Sequence, residues 1–351
     1  MEEALTDLAA AYELAARERM PAAAYDYYAA GAGDELSLEE SIVAWRCHRL
    51  RPHVFPMAGD ADLSVDVLGT RLAMPVMVAP MAYHQLAHPV GEVETARGVF
   101  AAGGLMVVAT RATAVIEDIA AALGGPWWFQ VYMVRERRLT EELVRRAARL
   151  GASALMLTGD TPYIGFKRRG HHAPVSLEQH LVNFGSHLSP DAPVETVAEG
   201  LEQDPAITFD TIAWLRDLTG LPVLVKGVLR GDDAARCLDA GAAGVVVSNH
   251  GGRQLDRAIA PAAALAEVVS AVERRGPVLV DGGVRSGTDV LVALALGATA
   301  TMIGRPVLWG LAAAGATGVR RVLEACRAEL EHAMGLAGAA SVAEITRDLL
   351  V

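Results

Sequence analysis

Eight short apolar runs, spread over most of the chain, constrain its fold more than any other feature. They start at Pro75 (PVMVA), Leu105 (LMVVA), Trp127 (WWFQV), Ala154 (ALMLT), Pro222 (PVLVK), Gly244 (GVVVS), Pro277 (PVLVD) and Thr299 (TATMI). Each is about five residues long and rich in Val, Ile, Leu or Met, the pattern of strands buried on both faces. Successive starts lie 30, 22, 27, 68, 22, 33 and 22 residues apart. Six of the seven gaps suit one strand plus one helix, and stretches of helical period such as 139–150 and 262–274 fill them. Eight such units predict an α/β fold, a (β/α)8 TIM barrel, with an eight-stranded doubly wound sheet as the alternative.

The wide gap exceeds one unit by roughly forty residues. The excess, 161–206, follows the fourth strand and is rich in His, Pro, Ser and Asn. A loop there overlies the catalytic face of a barrel, so it reads either as a lid or as a disordered insertion. Residues 1–60 read as a helical cap. An amphipathic helix stops at Pro21, and a second helical piece carries Tyr25, Tyr27 and Tyr28. Cap, barrel and insertion are expected to form one domain over 1–351.

Apolar residues make up 52% of the chain and charged residues 21%, which rules out general disorder and supplies a large core. A formal net charge of −11 argues against nucleic acid or anionic membranes as partners. The longest apolar stretch, 290–303, is too short to span a bilayer, and no secretory leader is expected. Cys47, Cys237 and Cys326 stand singly, which speaks for a cytoplasmic protein with neither disulfide framework nor zinc knuckle. His171, His172, His180 and His187 lack the spacing of converging ligands, so no metal is expected. Trp127 and Trp128 are assigned to the core.

A barrel carries its chemistry at the C-terminal ends of its strands. There the runs lead to Gln130 and Tyr132, Thr158 and Asp160, Lys226, Ser248 to Arg253, Asp281 to Arg285, and Gly304 with Arg305. The last two loops are the usual phosphate site of a barrel. Gly282 and Gly283 let backbone approach an anion, Arg285 and Arg305 add charge, and helix N-termini at 286–289 and near Pro306 offer N–H groups. Lys226 suits either a stabiliser of negative charge on a bound ring, a Schiff-base amine, or an ion pair with Asp281. His250 is placed to take a proton, Arg253 to grip a carboxylate, and Asp160 to orient the imidazole.

The string Ser248-Asn249-His250-Gly251-Gly252-Arg253-Gln254-Leu255-Asp256 resembles the signature of FMN-dependent α-hydroxy-acid oxidases and dehydrogenases. The segments 25–33, 79–82, 130–132, 221–227, 281–287 and 303–306 resemble the same family, so the likeness runs from about Tyr12 to about Ile345. It implies FMN as cofactor. Asp281, Gly283, Arg285, Gly304 and Arg305 would lie at its phosphate, Lys226 at N1/O2, Gln130 and Thr158 at the pyrimidine side, and Ala82 near N5. Tyr27, Tyr132 and Arg253 would bind the substrate, an (S)-2-hydroxy acid oxidised to the 2-keto acid. His250 would be the base and Asp160 its partner. The reduced flavin would pass electrons to oxygen or another acceptor, in a homo-oligomer of four or more chains.

This sequence departs from the family pattern in places. Ala109-Thr110-Arg111 replaces a serine-rich segment, so that flavin contact is either lost or taken over by Thr110. Lys167 stands where the substrate-carboxylate arginine is expected, with Arg168 beside it as a substitute. Segment 79–84 resembles bacterial hydroxymandelate oxidases, so Tyr83 is expected to meet an aromatic substrate such as mandelate or 4-hydroxymandelate. A barrel lyase or isomerase of a phosphorylated metabolite, using Lys226, and a catalytically silent FMN protein are the competing readings.

Overall fold

The structure is a computed structural model that describes residues 4–54, 61–184 and 199–351. Eight parallel strands form the barrel: β3 Val76–Val78, β4 Val107–Val108, β5 Trp127–Val131, β6 Ala152–Thr158, β7 Val223–Val228, β8 Gly244–Val247, β9 Val278–Val280 and β10 Ala300–Ile303. All eight apolar runs of the sequence fall on them. The ladder runs β3-β10-β9-β8-β7-β6-β5-β4. It closes through a parallel bridge between Val78 and Met106, with the Val78 amide donating to the Leu105 carbonyl at 2.8 Å.

Alternation along the strands divides the core in two. Met77, Leu105, Val107, Trp128, Met156, Leu224, Val246, Leu279 and Met302 fill the interior. Their neighbours, Val76, Val78, Trp127 and Phe129 among them, pack outward against the helices. The two tryptophans thus serve opposite faces of one strand. Burying each such side chain contributes roughly 1.5–3 kcal/mol. Val67 of β1 (Val65–Val67) and Leu72 of β2 (Thr70–Leu72), a hairpin leading into β3, join the interior cluster and plug the N-terminal end. At the other end the interior turns polar, with Gln130, Thr158, Lys226 and Asp281 all buried.

Among the described residues three helices precede the barrel: α1 Leu5–Arg19, α2 Ala22–Ala29 and α3 Leu36–Arg46. Glu329, on the helix Arg305–Ala337, accepts from the Leu5 amide through Oε1 and the Gly287 amide through Oε2, each at 2.6 Å. Tyr25 of α2 stacks on Trp309 of that same helix at 5.4 Å. Residues 55–60 of the cap and 185–198 of the insertion, His187 included, lie outside the described residues. The described parts of the insertion are tied down. Asn183 donates to the carbonyls of Ala112 and Ala114 and accepts from the Ile116 amide. Arg169 bonds Glu35 and Asp26 of the cap.

Candidate active site

A cavity of about 630 Å³ opens at the C-terminal ends of the strands. Its floor is set by the chain reversal after β8. His250, Gly251 and Gly252 all take positive φ, at 60°, 63° and 72°. A Cβ on Gly252 would sit 2.6 Å from the Leu38 backbone, so only glycine fits there. His250 adopts the same strained region with a side chain, a cost that recurs at functional sites. The turn is held from both sides. Asn249 accepts from the Gly252 amide, and Asp256 accepts from the Asp34 and Ser37 amides at the start of α3.

The strained turn sets the imidazole between two groups. Nδ1 lies 3.1 Å from Asp160 Oδ1, and Nε2 lies 3.4 Å from the Tyr132 hydroxyl. Burial raises the Asp160 carboxyl, but the His250 contact and the charge of Lys226 outweigh it and hold the group below its usual range. An anionic Asp160 places the proton on Nδ1, leaving the Nε2 lone pair to accept. Burial first, then the Asp160 charge, pushes the Tyr132 hydroxyl up, so it stays protonated.

Lys226 donates to Ser248 Oγ at 2.7 Å and pairs with Asp281 Oδ2 at 2.9 Å. The ion pair foreseen as one reading of Lys226 is therefore present. Asp281 Oδ1 is buried without a partner. A carboxylate repels phosphate, so this oxygen suits a hydroxyl donor better than the phosphate assigned to it from the sequence. Gln130 is locked in orientation: its amide donates to Thr158 Oγ1, and its Oε1 accepts from the Thr110 amide.

Gly283, Arg285, Gly304 and Arg305 line one end of the cavity. Gly283 has φ +81°, and a Cβ there would lie 1.9 Å from the Ser41 carbonyl. Arg305 donates to the carbonyls of Tyr28, Gly251 and Ala30 at 2.8, 3.1 and 3.2 Å. Burial, then Arg253 and Arg285, lowers it to about 9, still charged at neutral pH. Arg253 spends Nη1 on the carbonyls of Tyr27, Tyr28 and Ala30 and lies 5.0 Å from the Tyr27 ring centre. Among the described residues Lys167 Nζ donates to the Gly165 carbonyl, at 3.0 Å, and burial then Arg253 lowers it to about 8. Ala82 lines the cavity, and its carbonyl accepts from Tyr28.

Four expectations need correction. Thr110 does not line the cavity: its hydroxyl donates to the Gln130 carbonyl and accepts from the Tyr132 amide, while Ala109 takes the lining position. The helix end at 286–289 has few free N–H groups. Asp289 takes those of Arg285 and Ser286, Glu329 that of Gly287, and Ser286 that of Asp289. Arg168 turns outward to an exposed ion pair with Asp34, so Lys167 alone holds the cavity position. His180, set aside with the loop histidines, enters the cavity and bonds both Tyr83 and Arg111.

Arg111 and Ser248 are the members that sequence reasoning passed over. The signal for Arg111 was an arginine in an otherwise small-residue run at a strand end. Ser248 sat inside the quoted signature but carried no role. Among the described residues no group of three metal-ligating side chains converges.

A barrel with a locked amide, a paired lysine and an arginine-rich end beside a His–Asp pair defines a flavin-binding oxidoreductase of the barrel class. The chain matches the family described as FMN-dependent dehydrogenase over residues 16–351, and it belongs to that family. It is 42% identical to an L-lactate oxidase of Nostoc sp. over 97% of this chain and 96% of that protein. It is 43% identical to glycolate oxidase 1 of Zea mays, over 97% and 94%. A crystal structure of mandelate oxidase with (S)-4-hydroxymandelic acid superposes with a TM-score of 0.89 at 41% identity, covering 98% of each chain.

Proposed function

We propose that this chain is an FMN-dependent oxidase of (S)-2-hydroxy acids, converting them to 2-keto acids with oxygen as the electron acceptor. The observation that carries the reading is the accepting Nε2 of His250, set between Asp160 and Tyr132 in the lined cavity. When bound, FMN supplies the two-electron acceptor. Gln130, Thr158, Ala82 and Lys226 would hold its ring, Asp281 a hydroxyl of its side chain, and Gly283, Arg285, Gly304 and Arg305 its phosphate. The orphaned Asp281 Oδ1, and Arg285 and Arg305, neither in an ion pair with a described carboxylate, fit that group.

Arg253 and Lys167 would bind the substrate carboxylate, and Tyr27 and Tyr132 would orient its hydroxyl. His250 Nε2 takes one proton from the substrate, whether from oxygen or from the α-carbon, and Asp160 stabilises the imidazolium. The sum is hydroxy acid plus O2 giving keto acid plus H2O2. Lys226 is committed to Ser248 and to an ion pair with Asp281, which disfavours the lyase reading.

The likeness to mandelate oxidase supports mandelate and 4-hydroxymandelate among the 2-hydroxy acids that it oxidises. The ring of Tyr83 already neighbours Tyr27 and His180, each at 5.9 Å, so Tyr83 offers substrate its hydroxyl more readily than its face. We also place the protein in the cytoplasm as a homo-oligomer. Its three cysteines are free. Tyr163, Ile164 and Phe166 form an exposed apolar group of the kind that interfaces cover. Among the described residues no helix is long and apolar enough to cross a membrane.

The test is anaerobic addition of (S)-mandelate and (S)-lactate to the FMN-loaded protein. Bleaching of the visible flavin band by either, with hydrogen peroxide on readmitting air, is the expected result. A stable band with every 2-hydroxy acid offered would leave the silent flavoprotein as the better account.

A further inference from the structure

Resting on that reading, we infer that Arg111, His180 and Tyr83 form a second anion subsite, which makes the preferred substrate a 2-hydroxydicarboxylate. Arg111 is 9% exposed and follows β4 into the cavity. Its Nη1 donates to His180 Nε2 at 2.9 Å, its Nη2 to the Leu201 carbonyl, and its guanidinium lies 5.7 Å from the Phe184 ring centre. No carboxylate among the described residues pairs with it. Glu202, at the cavity wall, is engaged with Arg135, and Asp281 with Lys226.

The hydrogen-bond directions converge on one kind of ligand. Because His180 Nε2 accepts from Arg111, the ring proton sits on Nδ1 and is donated to Tyr83 Oη at 3.2 Å. Burial and Arg111 lower His180 to about 4, which keeps it neutral in this role. The Tyr83 hydroxyl then has its own proton left to give. Arg111 offers a positive charge with N–H donors and Tyr83 an O–H donor, a combination that favours an anion.

Charge matching separates this subsite from the rest of the cavity. Arg111, Lys167, Arg253, Arg285 and Arg305 line it, and none forms an ion pair with a described carboxylate. A phosphate of nearly two negative charges answers Arg285 and Arg305. One substrate carboxylate answers Arg253 and Lys167. Arg111 is left over, and a second carboxylate on the substrate balances it. A plain phenyl or alkyl group would strand a buried guanidinium and a hydroxyl, the situation that gives enzymes their strongest discrimination.

The experiment compares compounds of equal length on the FMN-loaded protein. Binding of 2-oxoglutarate and of 2-oxopentanoate is read from perturbation of the flavin band. Turnover is read with (S)-2-hydroxyglutarate and (S)-2-hydroxypentanoate. The dicarboxylates should win by about tenfold or more in both readouts, and Arg111→Leu should cut that ratio by about tenfold or more. An arginine that only braces the loops would lower both compounds together and leave the ratio unchanged, which overturns the proposal. Equal or better binding of the monocarboxylate or of mandelate by the unaltered protein overturns it too, as does binding of neither keto acid. If Arg111→Leu folds poorly, the unaltered ratio and Arg111→Lys, expected to keep most of the preference, decide. A preserved keto-acid preference with no bleaching by any hydroxy acid would sink the oxidase reading and leave the subsite standing.

Discussion

At the scale of single residues, His250 and Lys167 make the sharpest commitments. His250→Ala should keep the protein yellow yet slow anaerobic bleaching by a good substrate on the order of 10²–10⁴-fold, the usual weight of a positioned base. Rapid bleaching by that variant would remove His250 from the role. Lys167 is charged below about 8 and neutral above it. Carboxylate binding should therefore be intact at pH 7 and weaken as pH rises through that value, with KM climbing roughly tenfold one unit beyond it. Lys167→Arg should flatten that rise, and a KM profile unchanged by the substitution would show that Lys167 does not meet the carboxylate. These two residues were legible because a signature and an aligned motif point to them. His180 was not. A histidine in a run without period carries no spatial address until Asn183 and the capping box of Ser176 with Gln179 fix the short helix Leu177–Leu181 that bears it.

Single elements explain what positions those residues. The α2 helix is a lever with two faces. Tyr25 and Tyr28 pack on Trp309, while Tyr27 turns toward Tyr83 and Arg253. Tyr27→Phe should raise KM or lower kcat while FMN stays bound, checked by steady-state kinetics beside the flavin absorbance; loss of the flavin would misplace Tyr27. The first turn of helix Glu92–Ala101 does comparable work out of sight. Buried Glu92 accepts from the amides of His84, Thr113 and Ala114 and from the Thr113 hydroxyl. It ties the loop after β3 to the loop after β4, and so Tyr83 to Arg111. Glu92→Ala strands those donors and should cost about 3 kcal/mol or more in urea unfolding, while a loss below 1 kcal/mol would refute that linkage. Strands were readable because burial on both faces writes itself as unbroken apolar runs. Glu92 was not, because a buried acid and a surface acid look alike in a helical pattern.

For the whole molecule, eight apolar runs, most of them one strand-plus-helix unit apart, predicted the barrel, and the polar rim at its C-terminal end followed from where those runs stop. The hairpin of β1 and β2 that plugs the far end had no such signal, since three-residue strands are too short to show a period. A cavity this rich in uncompensated arginine should be markedly steadier when filled. Removing FMN is expected to lower the melting temperature, and adding it back at about 100 times its dissociation constant should restore about 2.7 kcal/mol. An apoprotein that melts with the holoprotein would show that the flavin does not occupy the arginine-lined end.

Arg305 stands just past the last strand, yet its guanidinium is held by carbonyls at Tyr28 and Ala30, near the start of the chain. The same side chain lines the arginine-rich end of the cavity. In a nascent chain the segment around Tyr28 and Ala30 is thus expected to lack this fastening until residue 305 has been made. Colour in this protein should therefore report assembly: flavin uptake is expected only once Arg305 has closed on the carbonyls of Tyr28 and Ala30.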